Sequence, residues 1–211
     1  MKNKGIKNLL VDFGGVLINL DRERCIHNFK KLGLKEAEEL LNVFHQQGVF
    51  MQQEKGMITS AEFRDSIRQT IGKEVTDQQI DAAWNSFLMD IPSYKLDLLL
   101  KLREKYVVYL LSNTNEIHWR WSCEHAFPYR GFRAEDYFEK IYLSYEMKMM
   151  KPDAGIFEAV LADAGIDPQQ TFFIDDSDAN CQTARTLGIS TYTPKAGEDW
   201  GHLFNTQRIA L

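Results

Sequence analysis

Two carboxylates stand side by side at Asp175 and Asp176, directly after the apolar run Phe172–Ile174. Neighbouring carboxylates repel one another unless a cation offsets their charge. Magnesium is suited to this task because it prefers hard oxygen ligands, usually one or two carboxylates with water and phosphate oxygens. The same residues can instead cap the following helix by accepting hydrogen bonds from backbone N–H groups. The pair therefore indicates either a magnesium site or a helix cap.

A third carboxylate, Asp12, follows the apolar residues Leu9–Val11 and precedes Gly14 and Gly15. Glycines allow the backbone to turn tightly and to approach an anion closely. A carboxylate in this position could attack the phosphorus atom of a bound phosphate ester. An ordinary turn after a strand also favours Asp and Gly, so Asp12 alone leaves both interpretations open.

Lys151, Ser112 and Asn113 are the other groups suited to phosphate. Lys151 could neutralise phosphate and keep nearby carboxylates ionised, and Ser112 with the amides that follow it could hold phosphate oxygens. Taken singly, Lys151 could be a solvated lysine and Ser112 or Asn113 a helix N-cap. Groups of this kind follow four separate predicted strands. It is improbable that all four carry them by chance, so the combination favours a phosphate site.

Short runs of branched and apolar residues predict the strands that position these groups. The predicted strands are Leu9–Phe13, Tyr106–Leu111, Lys140–Leu143, Thr171–Ile174 and Ile189–Tyr192. Helical patterns lie between them, the clearest of which starts after Pro152 and ends at Gly165. This alternation predicts an α/β fold with a doubly wound parallel sheet and a Rossmann-like core. Ligands bind beyond the carboxyl ends of such strands, where the polar groups stand.

From residue 18 to residue 93 the strand pattern is replaced by apolar pairs at helical spacing. We therefore predict a core formed by residues 1–17 and 94–211, with a helical cap of residues 18–93 inserted after the first strand. Within the cap, Gln52–Met57 is predicted to be a loop. Thr59 and Glu62 form a predicted capping box that begins the next helix.

Composition limits the class of protein. The chain has 211 residues and a net charge of -5, which argues against nucleic acid or an anionic membrane as the main partner and favours a small molecule. No window reaches the roughly 18 apolar residues that span a bilayer. Cys25, Cys123 and Cys181 are odd in number and widely spaced, which is typical of reduced thiols. A cytoplasmic protein is expected, and the oligomeric state is not predicted.

Four motifs in this order resemble the haloacid dehalogenase-like superfamily across nearly the whole chain. They are Asp12–Leu17, Leu110–Thr114, Lys151–Asp153 and Phe173–Asp176. Within the superfamily, the chain resembles helical-cap members such as bacterial α-D-glucose-1-phosphate phosphatases and the N-terminal phosphatase domain of some epoxide hydrolases.

This resemblance implies Mg²⁺-dependent hydrolysis of a small phosphate monoester, of sugar-phosphate type, through an aspartyl phosphate. The implied catalytic residues are Asp12, as nucleophile, and Lys151. The implied metal ligands are Asp12, Asp176, the backbone carbonyl of Gly14 and, in an assisting role, Asp175; the implied phosphate-binding residues are Ser112, Asn113 and Lys151.

Gly14 departs from the pattern of most phosphatases in the superfamily, which carry a second aspartate two residues after the nucleophile. That aspartate protonates the leaving oxygen, and loss of such a group typically costs about a hundred- to ten-thousand-fold in rate. Asp21, His27 and Glu54 are candidates to replace it. Their ordinary roles would be a helix N-cap, a partly buried helix residue and a solvated loop charge, respectively.

Two rival functions follow from Gly14. A degenerate member of the superfamily would bind magnesium and a phosphorylated ligand with little turnover. A haloacid dehalogenase also lacks the second aspartate, but its chemistry needs no metal, and the adjacent Asp175 and Asp176 would be costly there.

Overall fold

The computed structural model describes residues 5–41 and 46–204, and a parallel five-stranded sheet forms its centre. The strands are β1 (Asn8–Val11), β2 (Val107–Ser112), β3 (Lys140–Leu143), β4 (Thr171–Ile174) and β5 (Ser190–Tyr192). Their order is β3-β2-β1-β4-β5, with every neighbouring pair parallel. The predicted α/β fold with a doubly wound sheet is confirmed.

The described residues form eleven α-helices in addition to the sheet. They are α1 (Arg22–Leu32), α2 (Ala37–Leu40), α3 (Gly48–Glu54), α4 (Ser60–Ile71), α5 (Asp77–Asn85), α6 (Ser93–Arg103), α7 (Glu116–His125), α8 (Ala134–Tyr137), α9 (Ser144–Met147), α10 (Ala154–Ala164) and α11 (Asp178–Thr186). Two 3₁₀ segments cover Pro168–Gln170 and Trp200–Phe204.

Three strands, β1, β2 and β5, have bounds that differ from the predicted ones. β1 begins one residue earlier and ends at Val11, so that Asp12 and Phe13 lie beyond it, and β5 begins one residue later, at Ser190. β2 begins one residue later, at Val107, and continues to Ser112, which pairs with Leu143 of β3. Ser112 is therefore the last residue of its strand because β3 provides a partner at that position.

Both faces of the sheet are buried, as the continuous apolar strands predicted. Leu9 and Val11 contribute to one hydrophobic cluster, and Leu10 contributes to a second with Ile156 and Phe157 of α10. α10 ends at Gly165, whose φ of 63° is the left-handed conformation that favours glycine. Because both faces of the sheet are covered, the carboxyl ends of the strands are the edge at which a ligand can bind.

Six helices, α1 to α6, lie between β1 and β2. Four of them, α1, α3, α4 and α5, contribute one residue each to an aromatic cluster of Phe29, Phe50, Phe63 and Trp84. The predicted capping box of α4 is confirmed: Thr59 accepts a hydrogen bond from the Glu62 backbone N–H, and Glu62 accepts one from Thr59. The division at residues 17/18 and 93/94 stays a prediction.

The predicted loop at Gln52–Met57 is wrong for its first half, because Gln52–Glu54 form the last turn of α3. Trp84 Nε1 donates to Gln53 Oε1 at 3.0 Å, a contact that turns Gln53 into the cap interior. Local polarity gave no sign of this contact, since Trp84 lies far along the chain.

Within residues 5–41 and 46–204, no helix combines the length and apolar character needed to cross a bilayer. The cytoplasmic location and the exclusion of nucleic acid stay predictions.

Candidate active site

The register of the sheet brings the predicted functional residues to one edge. Val11 of β1 is paired with Leu110 of β2 and with Ile174 of β4, so that the residues after these positions emerge together. A cavity of about 70 Å³ opens at this edge. Its lining includes Asp12, Gly14, Glu54, Ser112, Asn113, His118, Lys151 and Asp176.

Lys151 lies at the centre of this edge with 1% of its side chain exposed. Its Nζ lies 2.8 Å from Asp12 Oδ1 and 2.6 Å from Asp175 Oδ2, and it donates to the Leu111 carbonyl at 3.0 Å. Burial lowers the pKa of the Lys151 ammonium, but Asp12 and Asp175 outweigh that effect and raise it above its usual value. Lys151 is therefore a permanent cation that joins the ends of β1 and β4.

Asn113 holds the backbone of Lys151 rather than facing the cavity with free amide groups. Its Nδ2 donates to the Lys151 carbonyl at 2.8 Å, and its Oδ1 accepts from the Lys151 N–H at 2.9 Å. This reciprocal pair positions Lys151. The phosphate-binding role predicted for Asn113 would then fall to its backbone.

Asp175 is fully buried, and both of its oxygens face donors. Oδ2 accepts from Lys151, Oδ1 accepts from the Ser177 N–H at 2.8 Å, and Asn180 Nδ2 lies 3.0 Å from each oxygen. Four donor contacts make this carboxylate a support for Lys151. Its part in metal binding stays a prediction.

Three carboxylates at this edge form a group of suitable size and chemistry for a divalent cation. One oxygen from each of Asp12, Asp175 and Asp176 lies within 4.8 Å of the others. Burial and the neighbouring carboxylates raise the pKa of Asp12 to about 8 and that of Asp176 to about 6. Lys151 lowers both pKa values but does not outweigh these effects. Magnesium would offset this crowding of negative charge, so the residues fit the predicted ion.

Gly15 adopts a φ of 70° beside Asp176, and a Cβ added there would lie 2.0 Å from Asp176 Oδ2. Gly15→Ala should displace this carboxylate and weaken magnesium binding by about ten- to a hundred-fold, the usual cost of disturbing a ligand's support. Gly72 has the same φ of 70° and open space around it. Gly72→Ala should share the backbone strain, about 1–2 kcal/mol, without changing magnesium affinity. Calorimetric titration of both variants with Mg²⁺ tests this, and equal affinities would contradict it.

The structure places the three candidates to replace the missing general acid in different environments. Asp21 is the N-cap of α1, as predicted, with its Oδ1 accepting from the Arg24 N–H at 2.9 Å. His27 is exposed on α1, so its predicted partial burial is wrong. Glu54 was predicted to be a solvated loop charge, and this is also wrong: it is 7% exposed, ends α3 and lines the cavity.

His118 lies in the segment Glu116–Trp121, which follows the second motif and could wall the substrate pocket, although the sequence favours packing against the core; His118 itself lines the cavity. It is buried, its Nε2 lies 3.0 Å from the Trp84 carbonyl, and burial lowers its pKa to about 3. The imidazole is therefore neutral. Its place in the first turn of α7, the helix that follows β2, was the signal available. Trp119 of the same helix packs on Phe13 with ring centroids 5.9 Å apart.

Comparison with known proteins places these features in a wider group. A model of haloacid dehalogenase-like hydrolases matches residues 6–188. A D-ribitol-5-phosphate phosphatase from Bacteroides thetaiotaomicron is 39% identical over 195 residues, which cover 92% of this chain and 95% of the relative.

Two solved structures are similar over nearly their whole length. The first is a HAD family enzyme from B. thetaiotaomicron, solved as an Asp12→Ala variant of that protein in complex with magnesium and inorganic phosphate. It is 72% identical, has a TM-score of 0.94, and the match covers 96% of this chain and 100% of that one. The second is a predicted HAD-like hydrolase from Porphyromonas gingivalis, with 39% identity, a TM-score of 0.88 and coverage of 96% and 99%.

Proposed function

This chain belongs to the haloacid dehalogenase-like hydrolases, and we propose that within this family it is a Mg²⁺-dependent phosphatase acting on a small sugar or sugar-alcohol phosphate. The observation that carries the proposal is the buried Lys151 between Asp12 and Asp175, with Asp176 completing a group of three carboxylates. This arrangement offers a nucleophile, a fixed cation and a metal site within one cavity.

In the proposed reaction, a carboxylate oxygen of Asp12 attacks phosphorus and forms an aspartyl phosphate, which water then hydrolyses. Lys151 favours the ionised form of Asp12 against the opposing effect of burial, and it stabilises the charge on the phosphoryl oxygens. Asp175 and Asn113 hold Lys151 in place, and Ser112 lies at the cavity wall for contact with phosphate. Magnesium, held by Asp12, Asp176 and the Gly14 carbonyl, would supply further neutralisation of the phosphoryl charge.

The dehalogenase alternative is disfavoured by the electrostatics of the cavity. Asp12 and Asp176 have raised pKa values there, because burial and nearby carboxylates disfavour their charged forms. An anionic haloacid would add to this repulsion with only Lys151, already shared by Asp12 and Asp175, to offset it. A phosphatase site relieves the repulsion with magnesium.

The substrate class rests on the relative. The similar protein from B. thetaiotaomicron is named a D-ribitol-5-phosphate phosphatase. A sugar or sugar-alcohol phosphate is therefore the substrate class that we propose for this chain.

The test is an assay of the purified protein against ribitol 5-phosphate, α-glucose 1-phosphate and other phosphate monoesters, with magnesium or with EDTA. We expect hydrolysis in magnesium that EDTA abolishes, and the best substrate defines the specificity of the cap. If inorganic phosphate stabilises the protein against heat but no monoester is hydrolysed, the chain is the ligand-binding, non-catalytic member of the family instead.

A further inference from the structure

Glu54 is a cap residue that lines the same cavity as the nucleophile. It is the last residue of α3, and both Glu54 and Asp12 line the cavity at the edge of the sheet. We propose that Glu54 protonates the leaving oxygen and then activates the hydrolytic water, the acid and base role that Gly14 cannot fill. This inference rests on the proposed phosphatase function.

The backbone of Glu54 is attached to the core next to the phosphate-binding strand end. Ser144 Oγ lies 2.6 Å from the Glu54 carbonyl oxygen, accepts from the Thr114 N–H at 2.9 Å and lies 3.0 Å from the Thr114 carbonyl oxygen. Thr114 is two residues after Ser112. One hydroxyl therefore joins the end of α3 to the segment that leaves β2.

Contacts of the residues before and after Glu54 also hold this segment in place. Gln53 is held in the cap interior by Trp84 Nε1 at 3.0 Å. Gly56 has a φ of 65° and lies against Tyr145, since a Cβ there would be 2.0 Å from the Tyr145 carbonyl oxygen. With the preceding side chain and the following turn both held, Glu54 stays at the cavity that it lines, where it is only 7% exposed to solvent.

The other ionisable groups of the cavity already have partners or roles that exclude them as the acid. Asp12 is the nucleophile, and Asp176 belongs to the metal site. Lys151 contacts two carboxylates. His118 is neutral, because burial lowers its pKa to about 3, and its Nε2 faces the Trp84 carbonyl.

Glu54 is suited to hold a proton at neutral pH. Burial raises the pKa of its carboxyl group to about 8. Charged groups on the helices that pack on α3 are engaged elsewhere: Arg64 of α4 pairs with Asp81, and Glu146 of α9 accepts from the Tyr145 hydroxyl. No ion pair within the described residues involves the Glu54 carboxylate. An acid with a pKa near the working pH can both give and take a proton efficiently.

The proposed steps balance in atoms and charge. As an Asp12 oxygen bonds to phosphorus, the bond from phosphorus to the leaving oxygen breaks, and that oxygen takes the Glu54 proton and departs as an alcohol. The Glu54 carboxylate then takes a proton from water while the water oxygen bonds to phosphorus. The bond from phosphorus to Asp12 breaks, which restores the Asp12 carboxylate and protonated Glu54 and releases phosphate.

Leaving-group dependence separates acid catalysis from a structural role. With magnesium present, Glu54→Gln should slow the first turnover of ribitol 5-phosphate by about a hundred- to ten-thousand-fold. It should slow the first release of p-nitrophenol from p-nitrophenyl phosphate only a few-fold, because that leaving group needs little protonation. Glu74→Gln, a control at an exposed cap glutamate, should leave both rates unchanged. Thermal unfolding of the variants checks that each is folded.

Equal losses on the two substrates would overturn the inference, because they would assign Glu54 to positioning, and so would the absence of a loss on either. A Glu54→Gln variant that fails to fold is replaced by Glu54→Asp, for which the same selective loss on the alcohol phosphate is expected. If the wild-type protein hydrolyses neither substrate, the proposed function itself fails. If the wild type is active and Glu54→Gln equals it, only the role of Glu54 fails.

Discussion

Asp12→Asn should reduce turnover of every phosphate monoester by at least about ten-thousand-fold, the scale seen when a nucleophile is removed. Asparagine nearly preserves the shape of the side chain, but its amide cannot attack phosphorus as a carboxylate does. Lys151 keeps its contact with Asp175 at 2.6 Å, so the variant should remain folded. Steady-state kinetics with magnesium measure the effect.

Asp178→Asn is the matched control for this substitution. Asp178 is exposed in the first turn of α11, two residues after Asp176, and its loss removes the same charge without touching the cavity. This variant should keep activity within a few-fold of wild type. If Asp12→Asn retained more than about a hundredth of the wild-type rate, a nucleophile at Asp12 would be ruled out.

Lys151→Met should lower the free energy of unfolding by about 3–5 kcal/mol in the absence of magnesium, as well as abolishing activity. The change leaves Asp12 and Asp175 facing one another in a buried site without the cation that separates them. Saturating magnesium should recover part of this stability, because the ion supplies the missing positive charge. Chemical denaturation with and without Mg²⁺ measures both effects.

Lys140→Met provides the comparison, since Lys140 pairs with Asp163 at 2.6 Å but the two side chains are 51% and 49% exposed. A solvated pair of this kind is worth at most about 1 kcal/mol. A loss of less than about 1 kcal/mol for Lys151→Met would mean that the buried cluster contributes no more than a surface pair. Adding Asp175→Asn to Lys151→Met should restore stability, because it removes one of the unpaired charges.

The sheet and its functional edge could be predicted because strands buried on both faces consist of unbroken apolar residues. β3 and β4 agree with the predicted bounds at every residue. Asp12, Lys151, Asp175 and Asp176 lie close together, as expected of groups that follow neighbouring parallel strands. Ser112 was placed just outside β2, because a polar residue ends the apolar run. Its pairing with Leu143 depends on a strand that lies elsewhere in the chain.

The cap side of the site could not be predicted, because its burial depends on contacts between distant segments. The sequence around Glu54 is polar and precedes a glycine, which is typical of an exposed loop. Ser144, 90 residues later, attaches this segment to the core. His118 is buried for the same kind of reason, since Trp84 of the cap lies against its ring with centroids 4.0 Å apart.

The most direct test of the central claim is to trap the aspartyl phosphate. The protein is mixed with ribitol 5-phosphate and magnesium, quenched rapidly in acid and reduced with borohydride, which converts an acyl phosphate of aspartate to homoserine. Peptide mass spectrometry should find homoserine at position 12, only when both substrate and magnesium are present, and never in Asp12→Asn. Turnover with no modification at position 12, or with phosphate on another side chain, would contradict Asp12 as the nucleophile.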